Sequence, residues 1–125
     1  MTVAQLWERA RPHIEDALAH AGGTHAIEDV LGGIAEGRLQ LWVGDRCAGV
    51  SEILNFPRRR VLNLFLAGGD MAEMRTLQAG LEAFARGSGC QAAMFSGRLT
   101  RSAVSGWPRA WPDYHPTHIC MTKEL

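Results

Sequence analysis

The chain has 125 residues, a length that predicts one domain spanning 1–125 with its own hydrophobic core. Its 13 basic and 13 acidic side chains give a formal net charge of zero and a pI near 7.0, so bulk charge argues against nucleic acid and against an anionic membrane as partners. No apolar run reaches the roughly 20 residues of a membrane span, no signal-peptide pattern is present, and the three scattered cysteines fit a reducing compartment, so we expect a cytoplasmic protein.

The first third of the chain carries the three-and-four spacing of amphipathic helices. Thr2, with Gln5 three residues later, predicts a capping box at the start of the first helix. Pro12 is expected to kink or divide that helix, and the glycines at 22–23 are expected to end it. Thr24 is then expected to cap a second helix.

Alternation of apolar and polar residues with a period of two begins at Leu39 and predicts strands. A strand over Leu39–Val43 is followed by a turn and by a second strand over 47–56. Three consecutive arginines at 58–60 connect this strand to a third one over 61–66. We expect the three strands to form an antiparallel meander.

The junction after the third strand is the most distinctive local pattern. Ala67, Gly68, Gly69 and Asp70 form a predicted turn that opens a helix, and such a turn aims free backbone N–H groups at one point, as in phosphate sites. Asp70 is expected to be the N-cap residue, and Glu73 is expected to complete a capping box. Two carboxylates would then occupy the positive end of the helix dipole.

The following elements predict a crossover connection. One helix starts after Asp70 and ends at Gly87 and Gly89, with an apolar stripe formed by Met71, Met74, Leu77, Leu81 and Phe84. A short strand over 91–95 follows, and a strand reached through a helix usually pairs in parallel. The sheet is therefore expected to be mixed. After an irregular or helical connection over 96–112 we expect a last strand over 115–125.

This order of elements resembles the GNAT acyltransferase fold over essentially the whole chain, which places it in the α/β (α+β) class. Gly106 with Trp107, and the segments 113–116 and 121–125, look like the closing part of small phage- and prophage-encoded GNAT-like proteins. The resemblance implies acetyl-CoA or CoA as the cofactor. Its acyl arm would lie between the strands over 61–66 and 91–95, and its diphosphate would sit on the junction that follows the first of them.

The residues that the resemblance assigns to the cofactor are Leu66, Ala67, Gly68, Gly69, Asp70 and Met71. In GNAT enzymes this segment has an Arg or Gln, two further residues and then Gly-x-Gly or Gly-x-Ala. The present segment is shorter, lacks the basic residue and carries acids, which would repel a diphosphate. The interpretation is a degenerate diphosphate loop, and a plain capped helix after a strand remains the alternative.

Acyl transfer to an amine needs a base and an acid. Glu52 is a candidate base that could reach the cleft, or a carboxylate at the sheet edge. Tyr114 is a candidate acid, or a packed aromatic with its hydroxyl at the surface. His115 and His118 would face opposite sides of a strand, so no metal site is expected.

Three functional hypotheses follow. The first is an accessory or interaction module of phage or prophage type with weak or lost catalysis, cytoplasmic in a bacterial host or associated with a virion. The second is an active N-acetyltransferase on an unknown amine. The third is a virion or assembly component that binds a protein partner or forms an oligomer, for which the arginines at 58–60 and the aromatic residues Trp107 and Trp111 are candidate contacts. The alternatives are a solvated hairpin tip for the arginines, and a cover over the acyl cleft or core packing for the tryptophans.

Overall fold

The computed structural model of the protein describes residues 1–96, 111–118 and 121–125. A four-stranded mixed sheet lies between two helical layers. The elements in chain order are α1 (Val3–Leu18), α2 (Ile27–Ala35), β1 (Leu39–Val43), β2 (Cys47–Asn55), β3 (Arg60–Gly69), α3 (Met71–Thr76), α4 (Gln78–Gly87) and β4 (Ala92–Phe95).

The sheet has the strand order β1-β2-β3-β4. Strand β2 pairs antiparallel with β1 and with β3, which confirms the predicted meander. Strand β4 pairs in parallel with β3, with Val61 opposite Ala92 and Leu64 opposite Phe95. The crossover through helices therefore forms as the sequence predicts, and it places β4 next to β3.

The N-terminal helices form for local reasons that the sequence reveals only in part. Thr2 and Gln5 make the predicted capping box, and α1 runs through Pro12 without being divided. The prediction that Thr24 caps α2 is wrong. The N-cap residue is Ala26, whose N–H donates to Asp29 Oδ2 at 2.9 Å, while the hydroxyl of Thr24 closes the preceding turn instead.

Each face of the sheet buries its own apolar cluster. The face covered by α1 and α2 buries Trp7, Ala10, Ile14, Val30, Leu39, Ala48, Val50 and Leu66. The face covered by α3 and α4 buries Cys47, Leu62, Leu64, Met74, Leu81, Ala85 and Trp111. Burial on both faces explains why β3 is an almost continuous apolar run rather than an alternating one.

Strand β3 is longer than predicted and contains a bulge. Val50 pairs with Leu66 and the next residue, Ser51, pairs with Leu64, so Phe65 is the extra residue. Leu64 therefore faces α3 and α4, whereas Leu66 faces α1. The predicted turn over 67–70 is wrong, because the residues at 67–69 continue the ladder with β2 and end β3 at Gly69.

The predicted single helix after Asp70 is two helices separated at Leu77. The hydroxyl of Thr76 donates to the carbonyl oxygen of Glu73 at 2.6 Å, and Leu77 N–H donates to Met74 O at 3.0 Å. A threonine that bonds back to its own helix competes with the regular ladder and bends the helix. The apolar stripe nevertheless continues through the break, since Met74 and Leu81 lie in the same buried cluster.

The predicted last strand over 115–125 is wrong for the part of it that the structure describes. Residues 115–118 and 121–125 contain no strand, and Met121 and Leu125 are exposed. Pro116 cannot donate to a ladder, which disfavours a paired strand at this point. Residues 119–120, and the segment 97–110 with Gly106 and Trp107, lie outside the described residues.

Substituting Gly69 tests the path of β3. Gly69 has φ of +94°, and a Cβ there would collide with the carbonyl oxygen of Arg46. We expect Gly69→Ala to lower the free energy of unfolding by about 3 kcal/mol in urea denaturation, because it adds both backbone strain and overpacking.

The matched control is Gly32→Ala, at a helical position in α2 where a Cβ meets nothing within 4 Å. It should raise the free energy of unfolding by about 0.5 kcal/mol. Equal effects of the two substitutions would contradict this description of β3.

Candidate functional site

Asp70 is the only residue between β3 and α3, so the strand meets the helix without a loop. Its carboxylate oxygen Oδ1 accepts from the backbone N–H of Glu73 at 3.1 Å, which confirms Asp70 as the N-cap residue. One of the donors at the start of α3 is therefore satisfied by the protein itself.

The predicted capping box is only half formed. The backbone N–H of Asp70 and the carboxylate of Glu73, which would complete it, form hydrogen bonds with Arg46 instead, in the hairpin between β1 and β2. Asp70 N–H donates to Arg46 O at 2.9 Å, and Arg46 N–H donates to Glu73 Oε1 at 2.7 Å. The Arg46 side chain adds an ion pair with Asp70, from Nε to Oδ2 at 3.3 Å, and a longer one with Glu73 at 3.9 Å. We call Arg46, Asp70 and Glu73 the junction latch.

The latch changes the pKa values of its acids. The backbone N–H of Arg46, followed by the thiol of Cys47, holds the pKa of Glu73 below its ordinary value. The backbone N–H of Glu73, followed by the Arg46 side chain, lowers the pKa of Asp70. Burial, with the neighbouring Glu73 carboxylate, raises the pKa of the Cys47 thiol to about 12, so this cysteine stays protonated at neutral pH and is a poor nucleophile.

The two glycines of the junction face protein atoms. A Cβ on Gly68 would collide with the carbonyl oxygen of His13 on α1, and a Cβ on Gly69 would meet Arg46 and lie 2.8 Å from Nδ1 of His13. These glycines therefore let the end of β3 pass closely between α1 and the β1–β2 hairpin.

A cleft opens next to the junction, where β3 and β4 separate. Their pairing ends at Leu64 and Phe95, and one further bond joins Ser96 N–H to Leu64 O at 3.0 Å. Beyond this point the bulged segment 65–67 lines a small cleft of about 60 Å³. Of the six predicted cofactor residues, Leu66, Ala67 and Met71 line this cleft; the other three, Gly68, Gly69 and Asp70, do not.

Glu52 lies on β2, an interior strand, so it is not a sheet-edge carboxylate. Its oxygen Oε1 accepts from Asn63 Nδ2 at 3.3 Å, across the β2–β3 pair. Asn63 Oδ1 in turn accepts from the hydroxyl of Ser96 at 3.0 Å, and Ser96 lines the cleft. Glu52 thus reaches the cleft indirectly, and its predicted role as a base stays a prediction.

Tyr114 packs on the other face of the sheet. Its ring lies 4.4 Å from that of Phe95, and its hydroxyl donates to Glu82 Oε2 on α4 at 2.7 Å. Burial and the Glu82 carboxylate raise the pKa of Tyr114. Neither Tyr114 nor Glu52 is among the residues that line the cleft, and Tyr114 packs against the cluster under α3 and α4; its role as an acid stays a prediction.

The described ranges 1–96, 111–118 and 121–125 contain neither a candidate metal-binding group nor a candidate membrane-spanning helix. No group of three or more His, Cys, Asp or Glu residues is arranged there to hold a metal ion. No helix in the same ranges combines the length and the apolar character that crossing a membrane requires.

Four residues that shape this site were not predicted: Arg46, Phe65, Asn63 and Ser96. Asn63 left a signal, because it is the one polar residue in the apolar run 61–66. The contributions of Arg46 and Phe65 depend on long-range pairing and carry no local signal.

Solved structures resemble this fold. A mutant form of TTHA1254 from Thermus thermophilus has a TM-score of 0.62 at 12% identity, covering 90% of each chain. A probable acetyltransferase has a TM-score of 0.63 at 10% identity and covers 99% of this chain and 97% of that one. An acetyltransferase of Trypanosoma brucei has a TM-score of 0.55 at 14% identity, with 91% and 94% covered.

No protein-family model and no curated protein matches the sequence. The likeness therefore concerns the fold, since all three identities are low. The chain has the mixed α+β fold of GNAT-like acetyltransferases, as its order of elements predicts.

Acid denaturation tests the junction latch. The pKa values of Asp70 and Glu73 lie below their ordinary values of 3.8 and 4.5, so their contribution to stability is complete above those values and is lost as the pH falls through the lowered ones. We expect the pair of substitutions Asp70→Asn and Glu73→Gln to lower the urea midpoint at neutral pH and to flatten its fall in acid.

Glu28→Gln, at an exposed carboxyl in the first turn of α2, serves as the control and should leave the acid profile unchanged. A double variant whose acid profile parallels that of the unmodified protein would show that the latch does not contribute to stability.

Proposed function

We propose that the protein is a GNAT-fold binding module in which acetyl-CoA chemistry is weak or lost. The observation that carries this proposal is that the backbone of Arg46 forms hydrogen bonds with Asp70 and Glu73 at the β3–α3 junction. In the fold's cofactor position, hydrogen-bonding groups that could hold a diphosphate are used to join α3 to the β1–β2 hairpin.

The residues at the junction fit a diphosphate poorly. Asp70 N–H is bonded to Arg46 O, and Glu73 N–H is bonded to the Asp70 carboxylate. Each hydrogen bond to a charged group contributes about 1.5 to 3 kcal/mol, so two engaged donors are a large loss of affinity. The carboxylates of Asp70 and Glu73 would also repel the diphosphate.

The accessory role that we propose includes a protein partner in a phage or prophage setting, in the host cytoplasm or on a virion. It is supported by the sequence resemblance and by the hairpin between β2 and β3. There Phe56 is half exposed and the arginines at 58–60 are exposed, a combination suited to an acidic protein surface.

Light scattering of the purified protein, alone and with the products of neighbouring genes, tests the proposed protein partner. A strictly monomeric protein without partners would count against it.

The second candidate function is an active N-acetyltransferase on an amine. The observation that favours it is the cleft at the separation of β3 and β4, because this gap is where the resemblance places the acyl arm. Release of free thiol from acetyl-CoA in the presence of a panel of primary amines, above the rate without protein, would support this function.

Two probes separate the candidate functions. S-acetylpantetheine has the thioester arm of acetyl-CoA without its diphosphate and nucleotide. If the junction does not recognise the diphosphate, calorimetry should give dissociation constants for the two probes within about threefold of each other, both about 1 mM or weaker. Binding of acetyl-CoA about 100-fold tighter than S-acetylpantetheine would contradict the proposal and favour the enzyme.

Removing the acid at the N-cap position sharpens this test. Asp70→Gly removes a charge and releases the N–H of Glu73, and glycine is a tolerated N-cap residue. We expect affinity for acetyl-CoA to rise about two- to fivefold with no change for S-acetylpantetheine.

The control for this substitution is Asp45→Asn, which removes an exposed charge one residue before Arg46 and outside the start of α3. An equal gain with Asp45→Asn, or an equal gain for both probes, would show that Asp70 does not act on the diphosphate.

A further inference from the structure

Strand β1 lies at one edge of the sheet and has hydrogen-bonding groups on its outer side. Gly44 N–H donates to Cys47 O at 2.9 Å, so these two residues form a hydrogen-bonded pair next to the turn. Such pairs alternate along an antiparallel ladder, and Gln40 and Trp42 therefore bond to β2. The N–H and C=O groups that point outwards belong to the alternate residues, Leu39, Leu41 and Val43. Within the part of the chain that the structure describes, no group bonds to them.

The outer edge of β1 lacks the features that usually prevent one sheet from pairing with another. Exposed edges are commonly protected by a charged side chain, a proline, a bulge or a very short strand. The segment Leu39–Val43 contains no charged residue and no proline, and its ladder with β2 has no register shift. Its five residues are an ordinary strand length. The edge is therefore suited to pairing with a further strand.

The helices that cover β1 expose apolar side chains on both faces of the sheet. On one face, Phe84 of α4 is 36% exposed, and its ring lies 5.7 Å from that of Trp42 on β1. On the other face, α2 packs on β1 and its residue Leu31 is 44% exposed. A second sheet that continued from β1 would bring its own helices towards these side chains, and burial of apolar surface would then stabilise the contact.

The charges at the two ends of β1 indicate which strand fits this edge. Glu36 and Arg38 precede the strand, Asp45 and Arg46 follow it, and all four are exposed. When two β1 strands pair antiparallel, the start of one lies beside the end of the other. Arg38 of one copy then approaches Asp45 of the second copy, and Glu36 approaches Arg46. Opposite charges therefore meet at both ends of the contact, which favours a second copy of this chain as the partner.

We propose that β1 is a self-association edge, at which two copies of the protein pair antiparallel about a twofold axis at Leu41 and form one continuous sheet. Leu41 lies opposite Leu41 of the second copy, and Leu39 lies opposite Val43, so the outward groups of each strand meet those of the other. This register keeps these apolar side chains of both copies on the face covered by α1 and α2. The inference goes beyond the proposed function and does not depend on it, because β1 belongs neither to the cleft nor to the β2–β3 hairpin.

Two charge reversals test this pairing, first alone and then together. Arg38→Glu and Asp45→Arg are at exposed positions whose side chains form only surface ion pairs, so we expect both variants to fold. Sedimentation velocity from about 1 µM to about 1 mM should show a monomer–dimer equilibrium for the unmodified protein. Each variant alone should dimerise about tenfold more weakly, because like charges meet at both ends of the strand. An equimolar mixture should regain most of this loss, because Glu at 38 in one variant then meets Arg at 45 in the other.

A control variant and a second measurement locate the contact. Lys123→Glu makes the same change of charge in the exposed C-terminal segment and should dimerise as the unmodified protein does. Amide hydrogen exchange at Leu41 should become slower as the protein concentration rises. The amides of Gln40 and Trp42, which bond to β2, should be protected at every concentration.

Three results would overturn the proposal. The first is a protein that stays monomeric up to about 1 mM. The second is a dimer that leaves the exchange of the Leu41 amide unchanged, since another surface would then form the contact. The third is a mixture of the two charge variants that dimerises no better than either variant alone. No measurement uses acetyl-CoA, so the outcome is independent of the diphosphate tests.

Discussion

The backbone of Arg46 joins three parts of this molecule. Its carbonyl accepts from the N–H of Asp70, and its N–H donates to Glu73, so one residue of a hairpin turn binds both the end of β3 and the first turn of α3. The turn itself is closed by Gly44 N–H donating to Cys47 O at 2.9 Å. Arg9 on α1 reaches the same turn through an ion pair of 2.8 Å with Asp45.

This arrangement accounts for the composition of the junction. Gly68 and Gly69 are needed because α1 and the hairpin approach β3 too closely for a Cβ. Asp70 and Glu73 are acids because their partners are backbone N–H groups and an arginine, which stabilise negative charge. Two backbone donors at the start of this helix, the N–H groups of Asp70 and Glu73, are thus satisfied within the fold, while the cleft beside them stays open along the bulged segment 65–67. The end of β3 thus has a structural role, and the binding role that we propose belongs to the adjacent bulged segment.

Local signals in the sequence were sufficient for much of the fold. The capping box of Thr2 and Gln5, the alternation over Leu39–Val43 and the N-cap at Asp70 depend only on near neighbours, and all are present. The end of β3 could not be predicted, because glycines are typical of turns and only the pairing with β2 keeps them in a strand. The break at Leu77 depends on the hydroxyl of Thr76, which the spacing of apolar residues along the helix does not reveal. The alternation over 115–125 predicted a strand without showing whether a partner strand exists.

The sequence predicted the location of the candidate site better than the residues that form it. The order of elements located it at the β3–α3 junction and between β3 and β4, but Arg46 and Ser96 come from segments far away in sequence. The most direct measurement is amide hydrogen exchange at Arg46 and Asp70, with and without millimolar acetyl-CoA. We expect protection comparable to that of the paired residues of β2 and β3, unchanged by acetyl-CoA. Rapid exchange that becomes protected only when acetyl-CoA is added would contradict it, because those amides would then be free to serve the cofactor.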